Sequence, residues 1–140
     1  MDLKTIPWAL AKGSRDGFSM MMRYRQFKPD FPKQDYPIRV NVVCDFQERT
    51  QSGMPTQTEY YRLDTVEDQL MGLAEDDESS VLAMVITSSG KREFIFQTSN
   101  ADDLYQRVNS AYDSKPDYYL DVSQDREDGW ELIDEYIPKN

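Results

Sequence analysis

Histidine is absent from this chain of 140 residues. That gap removes the commonest general acid–base group and the commonest metal ligand, so Ser-His-Asp and Cys-His machinery is excluded. Cysteine occurs once, as Cys44. No internal disulfide can form, which fits a reducing compartment. Long apolar runs are missing as well. The longest, residues 81–86, is far too short to cross a bilayer. The start, Met1-Asp2-Leu3-Lys4, lacks the basic segment and apolar stretch of a signal peptide. The glycines Gly13, Gly17, Gly53, Gly72, Gly90 and Gly129 are scattered, and none builds G-x-G-x-x-G or a G-K-[ST] phosphate loop. Together these absences predict a cytoplasmic protein with no membrane span, no cofactor, no metal and no catalytic residue.

Charge is abundant, and it is uneven. The net charge is −10. Residues 1–57 hold nine Lys/Arg and six Asp/Glu, whereas residues 58–140 hold seven and twenty. The acidic second half repels phosphate backbones and attracts basic partners. It also serves simply to keep a small protein in solution. A chain of this length buries a hydrophobic core without staples. One domain is expected, with an N-terminal hairpin and loop over 1–35, a core over 36–124 and a C-terminal helix over 125–140.

Residues 8–12 and 18–24 read as two strands joined by the turn residues Gly13 to Gly17. Pro29 and Pro32 mark a loop. From Ile38 to Phe46, Ile38, Val40, Val42 and Cys44 alternate with Arg39, Asn41, Val43 and Asp45, the period of a strand. Leu63, Val66, Leu70 and Leu73 then recur at three- and four-residue intervals, predicting a helix over 57–74. Residues 81–87 form an apolar strand covered on both faces, with a hairpin partner over 91–97. Ser99 or Asn100 caps a helix over 100–112, and Asp102 and Asp103 sit at its positive dipole end. A strand over 118–123 and a short helix holding Trp130, Ile133 and Ile137 complete the chain. Without the first hairpin and the last helix, the order is βαββαβ. The expected fold is therefore α+β, a ferredoxin-like (split βαβ) antiparallel sheet with both helices on one face.

Few groups remain for chemistry. Cys44 is a nucleophile only beside a base that lowers its pKa; its inward register favours a small core residue. Asp76, Asp77 and Glu78 lack the spacing and turn glycine of a calcium loop, so a solvated acidic turn is expected. Asp121, Asp125, Glu127 and Asp128 form a second acidic run, and Asp125 or Asp128 serves as a helix cap. A carboxylate-based enzyme stays as an alternative, and it requires a cleft lined by several acids of raised pKa. RNA-recognition domains share the βαββαβ order and stack bases on alternating aromatics. Phe94 and Phe96 alternate in this way, but the glycines of that motif are missing. Both rings belong in the core if they point at the helices. The remaining aromatics cluster early (Trp8, Phe18, Tyr24, Phe27, Phe31, Tyr36) and late (Tyr118, Tyr119, Trp130, Tyr136). They serve either to pack the hairpin and final helix on the core or to form a protein-binding patch. A sheet face left open opposite the helices makes a homodimer surface.

Several segments carry a family resemblance. They are Trp8, Asp35-Tyr36-Pro37, Gly53-Met54-Pro55, Val66-Glu67-Asp68-Gln69-Leu70, Gly90 to Phe96, and Glu127-Asp128-Gly129-Trp130. With these the chain resembles the bacterial domain-of-unknown-function family 695, which implies no catalytic residues. Residues 81–137, through the Phe94–Phe96 strand and the segment from Asp128 to Tyr136, resemble the regulator of ribonuclease activity B family. That resemblance implies a non-catalytic acidic protein that acts by binding another protein. The expected binding residues are Asp125, Asp128, Trp130 and Tyr136, facing a partner with a basic surface.

Overall fold

The computed structural model describes residues 2–112, 120–125 and 129–136. Two strands, β1 (Trp8–Arg15) and β2 (Phe18–Arg25), open the chain after a short 3-10 turn at Leu3–Thr5. Strand β3 (Ile38–Asp45) follows, then helix α1 (Gln57–Glu75), strands β4 (Ser80–Ser88) and β5 (Lys91–Thr98), and helix α2 (Ala101–Tyr112). Strand β6 (Leu120–Asp125) and helix α3 (Glu131–Tyr136) come last. The strands form one six-stranded sheet in the order β1-β2-β4-β5-β3-β6, and every neighbouring pair is antiparallel. The protein is thus a mixed α+β fold built on an antiparallel sheet.

The first hairpin is longer than the glycines suggest. Gly13 and Ser14 stay in the ladder, paired with Met20 and Ser19, and the chain reverses only at Asp16-Gly17. Both turn residues have positive φ, 53° and 83°. This left-handed pair matches the right-handed twist of the flanking strands, so a two-residue turn wins over a five-residue loop. Ser89 and Gly90 close the β4–β5 hairpin in the same way, with φ of 53° and 80°. The last strand also differs from expectation. It runs to Asp125 rather than stopping at Ser123, because Gln124 and Asp125 find ladder partners in Val40 and Arg39 of β3.

Both long helices start on side-chain caps. Thr56 accepts from the Glu59 amide at 3.4 Å, and Asn100 Oδ1 accepts from the Asp103 amide at 3.1 Å. The two helices pack on one sheet face. Leu63, Val66, Leu70 and Ala74 of α1 and Leu104 and Val108 of α2 close over Val40, Val42, Cys44, Leu82, Val85, Phe94 and Phe96. Every residue of β4 is buried. Its register shifts between Leu82 and Met84, so Ala83 and Met84 both point away from the helices. On that second face Met22, Met84, Ile86 and Ile95 pack with Ile133 of α3 and with Met20, Phe27 and Trp130. The C-terminal helix therefore covers part of the face opposite α1 and α2. Met20 and Met22 point into this second cluster, and Met21 lies on the helix side of β2.

Candidate functional site

Charge is sorted by layer. Between Gln57 and Glu78 the chain holds eight acidic residues and one basic residue, Arg62. Helix α2 adds Asp102 and Asp103 against Arg107. The helical layer thus presents Asp64, Asp68, Asp76, Asp77, Glu78 and Asp102 to solvent. Tyr61 stands among them, 65% exposed.

Beneath this acidic surface lies a buried ionic network. Arg23, Arg25 and Arg92 project from β2 and β5 toward α1. Arg23 forms a fork with the Glu67 carboxylate. Arg92 donates to Thr87 Oγ1 at 3.0 Å and Asp64 Oδ1 at 3.1 Å, and its guanidinium lies 5.5 Å from the Tyr60 ring centre. Arg25 and Glu75 pair at 3.3 Å, and both side chains are wholly buried. Arg25 also donates to the Leu3 carbonyl at 2.7 Å and stacks over Trp8 at 4.4 Å. The other Glu75 oxygen accepts from the Leu82 amide at 2.8 Å. One ion pair therefore joins the N-terminal turn, β2, the end of α1 and the start of β4. Burial raises the Glu75 carboxyl above its ordinary range and lowers the Arg25 guanidinium, against the pull of their mutual attraction.

The turn after α1 is acidic but tethered. Lys4 pairs with Asp76, and Arg107 bridges Asp77 at 2.7 Å and Asp103 at 2.9 Å. Hydrogen bonds from Arg107 and Ser79 hold the Asp77 carboxyl well below the usual carboxylate range. Among the described residues no group of three or more His, Cys, Asp or Glu is placed to hold a metal ion. No described helix is long and apolar enough to cross a membrane.

The residues singled out from the sequence separate. Phe94 and Phe96 are fully buried against the helices. Neither ring offers a face to a base, which corrects the nucleic-acid alternative: the alternation places both rings on the inner side of β5. Cys44 is buried in the same core, and its thiol is pushed up to about 12, first by burial. A thiol in that state is a poor nucleophile at neutral pH. Trp130 is half-buried. Its indole N–H donates to the carbonyls of Lys33 at 3.0 Å and Tyr36 at 2.9 Å. The ring meets Phe27 and Phe31 edge-on. It clasps the start of α3 to the loop after β2. Asp125 pairs with Arg39 in the strand ladder. Its side chain, the Tyr136 side chain and all of Asp128 lie outside the described residues.

The sequence from Pro7 to Ile137 matches the model of a known family. The chain belongs to the family of unknown function DUF695. The family model covers residues 7–137. No curated protein and no solved structure gives a significant match. In this DUF695 protein the buried Arg–Glu network was the feature missed by sequence reasoning. Its signal was present in the alternation of Met21, Arg23 and Arg25 on one side of β2, opposite Glu67 and Glu75 on α1.

Proposed function

We propose that the protein is a non-catalytic, cytoplasmic binding module whose acidic helical face docks the basic surface of another protein. The observation that carries this reading is the layering of charge: Asp64, Asp68, Asp76, Asp77, Glu78 and Asp102 are exposed on α1, its following turn and α2, where the bases are Arg62 and Arg107. A field of one sign over one face steers an oppositely charged partner and speeds encounter. The buried network supports the same reading. It neutralises the inner acids Glu67 and Glu75 with sheet arginines, so α1 remains docked while its outer acids face solvent. The strand order β4-β5-β3-β6 with both helices on one face supports a ferredoxin-like, split βαβ core carrying the extra hairpin.

The test is binding of a labelled Lys/Arg-rich peptide, followed by fluorescence anisotropy across a salt series. Affinity falls steeply between about 0.05 and 0.3 M salt as the Debye length shrinks from roughly 14 to 6 Å. Reversal of Asp64, Asp68 and Asp102 to Lys abolishes binding. Reversal of Asp125 and Asp128 tests the C-terminal acidic run as the alternative contact. Binding indifferent to salt and to both sets of reversals refutes the proposal.

A further inference from the structure

The sheet is wider than its helical cover. The apolar contacts of α1 and α2 fall on β4, β5, β3 and β6 and on Trp8 at the start of β1, and α1 reaches β2 through the Arg23–Glu67 and Arg25–Glu75 pairs; beyond Trp8, β1 extends past the helices as a free edge. Two neighbouring strands span about 10 Å, the diameter of one helix, so each helix covers about two strands. A six-stranded sheet therefore has room for a third helix on this side, above β1 and the outer half of β2. No described residue of the chain occupies that place.

What the shelf presents is amphipathic. Trp8 and Leu10 of β1 and Met21 of β2 face the helix side. Leu10 is 55% exposed. Directly across the ladder from Leu10, Arg23 is gripped by Glu67 and so contributes little free positive charge to the floor. The wall is the flank of α1, where Asp64 and Asp68 stand one turn apart and reach solvent; Asp64 shares its charge with Arg92 at 3.1 Å, so Asp68 carries most of the free negative charge there. The outer rim is basic through Lys12, which pairs across the ladder with Met21.

We propose that this shelf receives an amphipathic helix of a partner protein, its apolar ridge on Leu10 and Met21 and its basic flank against Asp64 and Asp68. The proposal rests on the acidic-face reading above and specifies where and in what form the partner binds. An eight-residue strand is about 26 Å long, which accommodates a helix of about 17 residues. Charge complementarity selects the direction of the flanks: bases inward toward α1, acids outward toward Lys12. The mode is helix-in-groove recognition, in which i, i+3, i+4 and i+7 side chains supply the anchors.

The full chain is used to select binders from a library of 16-residue amphipathic peptides whose flanking positions are randomised over both signs of charge. Winners are measured by fluorescence anisotropy and mapped by amide hydrogen exchange. The expected winners carry Lys or Arg along one flank and protect β1 and β2. They lose at least tenfold in affinity on Leu10→Asp and on Asp64→Lys/Asp68→Lys. Because Leu10 is exposed, its substitution leaves thermal stability unchanged, and that is checked first. Basic winners that ignore Leu10→Asp but weaken on Asp102→Lys overturn the shelf and leave the acidic-face reading standing. Winners with no charge preference, or no winners at all, overturn both. Sedimentation that shows a dimer lost on Leu10→Asp overturns the proposal in favour of a second copy of this chain.

Discussion

Replacing one member of the Arg25–Glu75 pair should be far more damaging than replacing both. The two side chains are wholly buried and meet at 3.3 Å. Arg25 Nε finds no acceptor. Taking two ions out of water costs several kcal/mol each, and their attraction offsets that cost only while both are present. Arg25→Met leaves a buried carboxylate alone and is expected to cost about 3–5 kcal/mol. Glu75→Gln leaves a buried guanidinium alone and costs a similar amount. The double variant Arg25→Met/Glu75→Gln has no buried charge at this site, and its glutamine oxygen still accepts from the Leu82 amide. It loses the bond to the Leu3 carbonyl and the stacking on Trp8, for a total of about 1–3 kcal/mol. The coupling energy is therefore expected to be at least about 3 kcal/mol. Urea unfolding of the four proteins measures it, with a constant m-value as the check that the unfolded state is unchanged. The pH course follows from Glu75. Its folded pKa lies above the ordinary value, so its contribution is complete below the unfolded pKa and is lost as pH rises through the folded one. A double variant as unstable as the sum of the two single losses would refute the reasoning.

Trp130→Phe keeps an aromatic ring against Phe27 and Phe31 but removes the donor to the Lys33 and Tyr36 carbonyls. The expected loss is about 0.5–1.5 kcal/mol in urea unfolding, since each carbonyl loses one donor but keeps another, the Tyr36 amide for Lys33 and the Gln97 side-chain amide for Tyr36. Asp77→Asn tests the exposed bridge to Arg107. Because the Asp77 carboxyl is held below its ordinary value, its contribution is present above the unfolded pKa and disappears as pH falls through the folded one. The wild type should therefore exceed Asp77→Asn in stability at neutral pH and lose that margin in strong acid. Solvent screening keeps the margin within about 1 kcal/mol, and raised salt shrinks it.

The local pattern determined the elements. Alternation from Ile38 to Cys44, the spacing of Leu63, Val66 and Leu70, and the Asn100 cap followed by Asp102 and Asp103 each encode a strand or helix in a few neighbouring residues. Backbone hydrogen bonding and one-sided burial act over that range, so each element was legible where it stood. The uneven charge was legible for the same reason: it is a property of composition. The order of strands in the sheet, the coverage of its second face by α3, and the exact turn at Asp16-Gly17 depend on partners distant in the chain. Tyr36 and Trp130 are an example, since nothing near either residue announces the other. The candidate site divides along the same line. Its outer acids follow from the sequence of α1 and α2. The inner arginines acquired their role only when β2 came to lie beneath α1, where a guanidinium without a carboxylate would be a buried, unpaired charge. The tertiary structure also decided which aromatics remain available. It sealed Phe94 and Phe96 in the core, turned Trp130 into a clasp, and left Leu10 on an uncovered strand, because two helices cannot cover six strands.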